Sequence, residues 1–367
     1  MREVCGLIAR PDGSVAAGRI TFSGLIERIE PLTAPSGSDY VVPGLIDLQV
    51  NGTHGMEVMA ASVDDLTDIS RYLAREGVTT YLPTAITSSL ESYVRIDRAI
   101  SQCRVNNADA NDIAAIAGLH LEGPFISEKR LGVHPRLMLE PSGASLKHVL
   151  ALEQLRLLTI APELPGALQA IRRANQRGVA VSIGHTDASL PQAQAAIAAG
   201  ARMFTHVFNA MRPLHHRDPG VAAAALTPSP AFAAVIPDGV HVHPQMLAMV
   251  YRARGAAGMI LTSDKVGAAP GAAASFSSTA SNGARAAETA NGRLAGSLIS
   301  LMDGVRLMVA EVGASVGEAA LMAAANPARL LGMRDRGGLE PGCRADLLLL
   351  DAQLDLKAVF IGGCELE

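Results

Sequence analysis

The chain has 367 residues, 49% hydrophobic and 18% charged, enough apolar material for one large core plus a small accessory unit and too much for a disordered polymer. A formal net charge of -4 gives no global attraction for nucleic acid or an anionic membrane, so an anionic ligand needs a local cluster of cations. No run approaches the roughly 18 apolar residues of a membrane span, and the first ten residues hold too short an apolar run for a signal peptide, which points to the cytoplasm.

Residues 1 to about 42 read as short strands broken by turns, with apolar runs at 3–9, 18–22 and 24–29. The pattern then alternates. Strand candidates lie near 44–50, 78–82, 113–121, 157–161, 179–184, 202–206, 232–236 and 257–263, with helical stretches such as 90–103, 166–177, 191–199 and 244–254 between them. Eight strands separated by helices predict an α/β fold, a parallel (β/α)8 TIM-like barrel; a doubly wound open sheet is the alternative the pattern also allows. Residues 267–292, rich in Gly, Ala, Ser and Asn, read as a lid following the last strand. After the turn cluster Gly337-Gly338-Leu339-Glu340-Pro341-Gly342 come two more apolar runs, at 345–350 and 357–361. The terminal segments 1–42 and 337–367 are too small to fold alone and are expected to pair into one small β-sandwich domain, leaving 43–336 as the barrel. Cys5, Cys103, Cys343 and Cys364 form no Cys-x-x-Cys pair and read as free thiols.

Barrel enzymes carry their chemistry at the C-terminal ends of the strands. Three of the predicted strands stop on a Glu or a His: Glu122 in Leu119-His120-Leu121-Glu122, His185 in Ile183-Gly184-His185-Thr186-Asp187, and His206 in Phe204-Thr205-His206. A lone His at such a place is more often a hydrogen-bonded structural residue. One carboxylate and two imidazoles from three strand ends can together hold a divalent metal and leave a position open for water. The run 257–263 ends on the carboxylate Asp264, which reads as the acid/base group of a metal-dependent hydrolase. Alternation puts His120 on the face of Glu122. No Gly-x-Ser-x-Gly is present to suggest a serine nucleophile.

The first barrel strand reads Gly44-Leu45-Ile46-Asp47-Leu48-Gln49-Val50-Asn51-Gly52, and here the chain resembles the amidohydrolase superfamily, in which a similar strand commonly ends in His-x-His and binds a second metal. Gln49 and Asn51 stand at those positions and are poor ligands beside imidazole, so the second-metal position is lost and one metal is expected. His54 reads as a loop residue. Gly118-Leu119-His120-Leu121-Glu122-Gly123-Pro124-Phe125, Ala161-Pro162-Glu163, Gly184-His185-Thr186-Asp187-Ala188, Thr205-His206-Val207-Phe208-Asn209-Ala210-Met211, Asp238-Gly239-Val240-His241 and Gly292-Arg293-Leu294-Ala295-Gly296-Ser297 are similar to motifs of the N-acetylglucosamine-6-phosphate deacetylase family. The resemblance implies hydrolysis of N-acetylglucosamine 6-phosphate to glucosamine 6-phosphate and acetate. It implies one divalent metal per subunit on Glu122, His185 and His206, zinc first, with iron(II) and manganese(II) also suited. Asp264 matches the catalytic aspartate, although the family's Asp-Ala is here Asp264-Lys265, and His134 matches the histidine that polarises the substrate carbonyl. Asn209 and Ala210 match the sugar-binding turn. Arg217 and His241 match phosphate-holding residues that reach into the neighbouring subunit's site, which implies a homodimer. A related substrate, N-acetylgalactosamine 6-phosphate or an unphosphorylated N-acetyl amino sugar, is the alternative. A non-enzymatic scaffold is a further one, against which the intact Glu122, His185, His206 and Asp264 argue.

Overall fold

The computed structural model, which describes residues 1–33, 37–267, 286–288 and 294–367, turns the eight central apolar runs into eight strands. They are β1 (Leu45–Val50), β2 (Val78–Ile86), β3 (Leu119–Glu122), β4 (Leu155–Ile160), β5 (Ala180–Ile183), β6 (Met203–Phe204), β7 (Phe232–Val235) and β8 (Met259–Leu261). Each pairs in parallel with the next in sequence. Between β8 and β1 the ring is completed by a parallel bridge from Val50 to Lys265. Asp47 reinforces it: its Oδ1 accepts from Thr262 Oγ1 at 2.9 Å and from Ser263 N at 3.2 Å. This is the barrel, and the doubly wound alternative falls.

One predicted strand differs. The run at 113–121 splits into Ala115–Ile116 and Leu119–Glu122, because Gly118 takes φ 143° and lies against Arg156, whose Cγ would be 2.1 Å from an added Cβ. Past that kink, Leu119 and Leu121 join the outer apolar layer under the helices, while His120 points inward to Leu48 O and Thr159 Oγ1. At the opposite end of the barrel Ile46, Leu48, Leu82, Leu157 and Ile260 fill the interior against Ala328 and Leu331. Each such side chain, fully buried, contributes roughly 1.5–3 kcal/mol relative to exposure.

The helices Leu90–Asn106, Ala167–Gln176, Leu190–Ala199 and Pro244–Arg254 lie where the sequence predicts them. Helix α1 (Val63–Arg75) starts on a capping box between Ser62 and Asp65 and ends at Glu76. Residues 301–331, for which the sequence predicts no element, hold the helices Leu301–Leu307, Val316–Ala320 and Asn326–Leu331. Asn326 Nδ2 ties this helical segment to β8 by donating to Met259 O at 2.6 Å.

The terminal segments form one seven-stranded sheet. In it Tyr40–Pro43 pairs in parallel with Arg2–Ala9 and antiparallel with Leu347–Leu350. The sandwich expected there is a single sheet folded over its own core: Phe22 and Phe360, from strands four places apart, meet edge-on with centroids 5.3 Å apart. Most of the lid expected at 267–292 lies outside the described residues; Ala286–Glu288 is described and pairs with Leu294–Ser297. All four cysteines are free. Among the described residues no helix is long and apolar enough to cross a membrane.

Candidate active site

The ends of β3, β5, β6 and β8 open on one cleft of about 670 Å³, whose lining includes Asn51, Glu122, His134, His185, His206, Asn209, Ala210, His241 and Asp264. At three of these ends the chain turns through left-handed backbone at a residue that bears chemistry: His185 (φ 45°), His206 (φ 31°) and Asp264 (φ 50°). Such positions cost on the order of 1–3 kcal/mol and persist when the surroundings over-determine them.

Glu122, His185 and His206 converge. Glu122 Oε1 lies 3.1 Å from His185 Nε2 and 2.9 Å from His206 Nε2, and the two ring nitrogens are 3.1 Å apart. Among the described residues they are a buried group whose ligand atoms lie within 4.8 Å of one another. His185 Nδ1 is 2.9 Å from Arg130 O; a carbonyl only accepts, so Nδ1 carries the proton and Nε2 presents its lone pair to the group. Burial alone would raise Glu122, but its close contacts with the His134, His185 and His206 rings outweigh it and hold the carboxyl well below the usual range. Burial, with the charge of His134 next, pushes His185 down to about 4. Burial also works against a charged His206, yet the bond to Glu122 and its charge win and raise that ring. An N, N, O set this crowded, sharing at most one proton, fits a divalent cation.

The two amides at the end of β1 serve the carboxylates. Gln49 Nε2 donates to Glu122 Oε1 at 2.8 Å, and Asn51 Nδ2 to Asp264 Oδ1 at 2.8 Å. Asp264 is raised to about 7, by burial first and the charge of Glu122 second. His134 Nδ1 accepts from Thr87 N at 3.2 Å, with Thr87 Oγ1 at 2.9 Å. The backbone donor fixes the tautomer: the remaining proton sits on Nε2, which is 3.5 Å from Glu122 Oε2. Asn209 Nδ2 is buried with no protein partner, while Ala210 O accepts from Thr186 N at 3.0 Å.

Not every residue singled out in the sequence is in the cleft. Arg217 is exposed, its Nη1 2.9 Å from His216 Nε2. His241 lines the cleft of its own chain, where Asp238 Oδ2 lies 2.6 Å from its Nδ1 and Asp238 Oδ1 accepts the N–H of Val240 and His241. That turn folds His241 back over the barrel mouth. Lys265 points away from Asp264, with Nζ on Glu76 Oε2 at 2.6 Å. His54 stacks on Tyr72 with centroids 3.8 Å apart, apart from the metal-type group. Thr87, Arg130, Asp238 and Glu163 carry no predicted role. Asp238 and Glu163 had a signal in reach, since both lie in motifs quoted above; Glu163 accepts from Asp187 N at 2.6 Å and so braces the His185 turn.

Fold and site together define an amidohydrolase: the chain belongs to the amidohydrolase family, whose sequence model matches residues 40–365. It is 34% identical over 330 residues to the N-acetylglucosamine-6-phosphate deacetylase of Lysinibacillus sphaericus, a match covering 88% of this chain and 84% of that protein. It is 35% identical over 350 residues to the N-acetylgalactosamine-6-phosphate deacetylase of Escherichia coli O157:H7, covering 93% and 92%. Among solved structures it is similar to N-acetyl-D-glucosamine-6-phosphate deacetylase from Mycobacterium smegmatis, an aspartate-to-alanine mutant in complex with N-acetyl-D-glucosamine-6-phosphate. The TM-score is 0.89 at 30% identity, over 99% of this chain and 98% of that one.

Proposed function

We propose that the chain removes the acetyl group of N-acetylglucosamine 6-phosphate by hydrolysis, releasing acetate and glucosamine 6-phosphate. The observation that carries the proposal is the meeting of the Glu122–His185–His206 group, Asp264 and His134 in one cleft. Glu122, His185 and His206 would hold a divalent metal, which would supply Lewis-acid polarisation of the amide carbonyl and a water acidified toward neutrality. Asp264, oriented by Asn51, takes a proton from the attacking water as the new C–O bond forms, then delivers it to the amine nitrogen as the C–N bond breaks. His134 donates its Nε2 proton in a hydrogen bond to the carbonyl oxygen as charge builds there. Water supplies both the hydroxyl of the acetate and the proton of the amine, so no covalent acyl-enzyme is required.

The donor set suits zinc first, and iron(II) or manganese(II) as well. We assign the phosphate to His241 together with Arg217 of a second copy in a homodimer. In support, the described lining of the cleft holds no Lys or Arg, and Arg217 is exposed. We take 43–336 as the catalytic barrel, 1–42 and 337–367 as the small domain, and the cytoplasm as the location, in keeping with four free thiols. The similarity to the E. coli relative keeps the galactosamine epimer as the second reading.

The test is release of free amine by metal-loaded protein from N-acetylglucosamine 6-phosphate, N-acetylgalactosamine 6-phosphate and unphosphorylated N-acetylglucosamine. Strong preference for the first is expected. Preference for the second installs the epimer reading, equal rates with and without phosphate remove the Arg217 and His241 assignment, and silence on all three with metal bound overturns the proposal.

A further inference from the structure

Lys265 follows Asp264 directly and is 7% exposed, yet it has no part in the cleft lining. Its ammonium meets both oxygens of Glu76, the residue that ends α1. A cation is doubly suited to that place, by the carboxylate and by the negative end of the helix. The pair is largely withdrawn from water, with side-chain exposures of 8% for Lys265 and 23% for Glu76.

The backbone of Lys265 is as heavily used as its side chain. Its carbonyl accepts from Asn51 N at 2.7 Å and Gly52 N at 3.1 Å, and its own N–H donates to Ser263 Oγ at 3.1 Å. It bridges Val50 on one side and Ser297 on the other. Asp264 O in turn accepts from Ser297 N at 2.9 Å. First strand, last strand and the strand Leu294–Ser297 are thus tied at one residue. Both things tied there bear on Asp264. One is its own left-handed backbone, φ 50°. The other is Asn51, whose main chain is held by Lys265 and whose side chain grips Asp264 Oδ1. The contact with Glu76 anchors this small circuit to the helix layer. A side-chain-bearing residue stays in left-handed backbone only while its surroundings hold it there.

We propose that the Lys265–Glu76 ion pair is a positioning device for Asp264, holding the turn and the Asn51 contact that aim its carboxylate. It acts on turnover, and leaves metal content and substrate affinity alone. The inference rests on the reading of Asp264 as the proton carrier. A pair that served stability alone would lower the unfolding temperature without changing turnover per folded molecule.

The test uses full-length, metal-loaded enzyme, assayed well below its unfolding temperature. Glu76→Gln is the gentler variant because Glu76 sits at a helix end with access to solvent; Lys265→Met, the double variant and Glu76→Asp with Lys265→Arg complete the set. Misaiming a proton carrier slightly costs roughly 10- to 100-fold, so Glu76→Gln is expected to lower kcat by about that factor with KM changed less than about two-fold. The double variant should be no slower than the slower single one, as for a unit, and the Asp/Arg pair should recover most of the loss. Amide exchange at Asn51 and Gly52, which donate to Lys265, should quicken in Glu76→Gln. Wild-type kcat per bound metal in Glu76→Gln, or single losses that multiply in the double variant, would overturn the proposal. If the wild-type protein hydrolyses none of the sugars, the functional reading has failed independently, and exchange decides: unchanged rates at Asn51 and Gly52 overturn the anchoring role as well.

Discussion

The mouth of the barrel and the terminal sheet share out tight backbone differently. At the mouth, side-chain-bearing residues join glycines such as Gly132 (61°) and Gly296 (99°) at positive φ: His54 (50°), His185 (45°), His206 (31°), Phe208 (80°), Ala210 (48°) and Asp264 (50°). In the terminal sheet and its turns the task falls to glycine, at Gly13 (84°), Gly342 (90°), Gly362 (54°) and Gly363 (76°), with Leu354 (66°) the exception. Buried polar atoms follow the same division. Gln49 Oε1, Asn51 Oδ1, His206 Nδ1 and Asn209 Nδ2 lack protein partners at the mouth, against Asp346 Oδ2 near the sheet. The sheet is built for stability and relieves strain where it arises. The mouth carries strain and unpaired polarity on the groups that would meet a substrate, and the closed barrel beneath it bears the cost.

If that division is real, a change at the mouth should cost chemistry and spare the fold. Asp264→Asn is expected to lower kcat by roughly 10³- to 10⁴-fold while metal content stays. It should also stabilise the metal-free protein at alkaline pH. The folded pKa of Asp264 is raised to about 7 from an ordinary 3.8, so its contribution is intact below 3.8 and is lost as pH rises through 7; the neutral amide removes that loss. Turnover within about ten-fold of wild type would end the assignment of Asp264. The converse probe is Phe22→Ala. Removing a fully buried ring that packs on Phe360 should cost about 4 kcal/mol in denaturant unfolding and leave kcat per folded molecule where it was. A fall in kcat would mean that the two regions are coupled.

Asp47 sits on the boundary, buried where β8 meets β1, with Oδ2 unpartnered and its pKa raised, chiefly by burial. The sign is that of a raised carboxyl: its stabilisation is complete below the unfolded value and is lost as pH rises through the folded one. Asp47→Asn keeps an Oδ1 that can accept from Thr262 and Ser263 and removes the charge. It should therefore stabilise the protein at neutral pH and flatten the decline of stability with pH, measured by urea unfolding between acid and neutral pH. A loss at neutral pH would show that the ionised form is the one the closure needs.

The strand ends were legible because an apolar run that stops on Glu122, His185, His206 or Asp264 is a local pattern, and the barrel repeats it. What stayed hidden acts across the chain. Thr87 reaches His134 over 47 positions, Arg130 holds His185 over 55, and Glu76 meets Lys265 over 189, none of which leaves a periodic trace. Nothing local marks the partner of Lys265, because Glu76 belongs to another layer of the barrel. The segment Leu321–Ala325 is buried all round; without a polar face it shows no helical period to read. His241 stands out in its motif, but the Asp238 Oδ2 contact that orients its ring does not.

The smallest effect expected at the mouth is also the one that tests how its geometry is held. His134 is useful as a donor only in the tautomer with the proton on Nε2, and two groups of Thr87 face its Nδ1. The backbone N–H cannot accept, so it alone suffices to exclude a proton from Nδ1; the hydroxyl adds a second contact without deciding the tautomer. Thr87→Val keeps the shape and the N–H and removes one neutral hydrogen bond, worth roughly 0.5–1.5 kcal/mol. The expected result is a kcat lower by about three- to ten-fold, with KM and metal content held. A drop of a hundred-fold would place the decision with the hydroxyl. It would also move Thr87 from a residue that steadies His134 to one on which the proton's position depends.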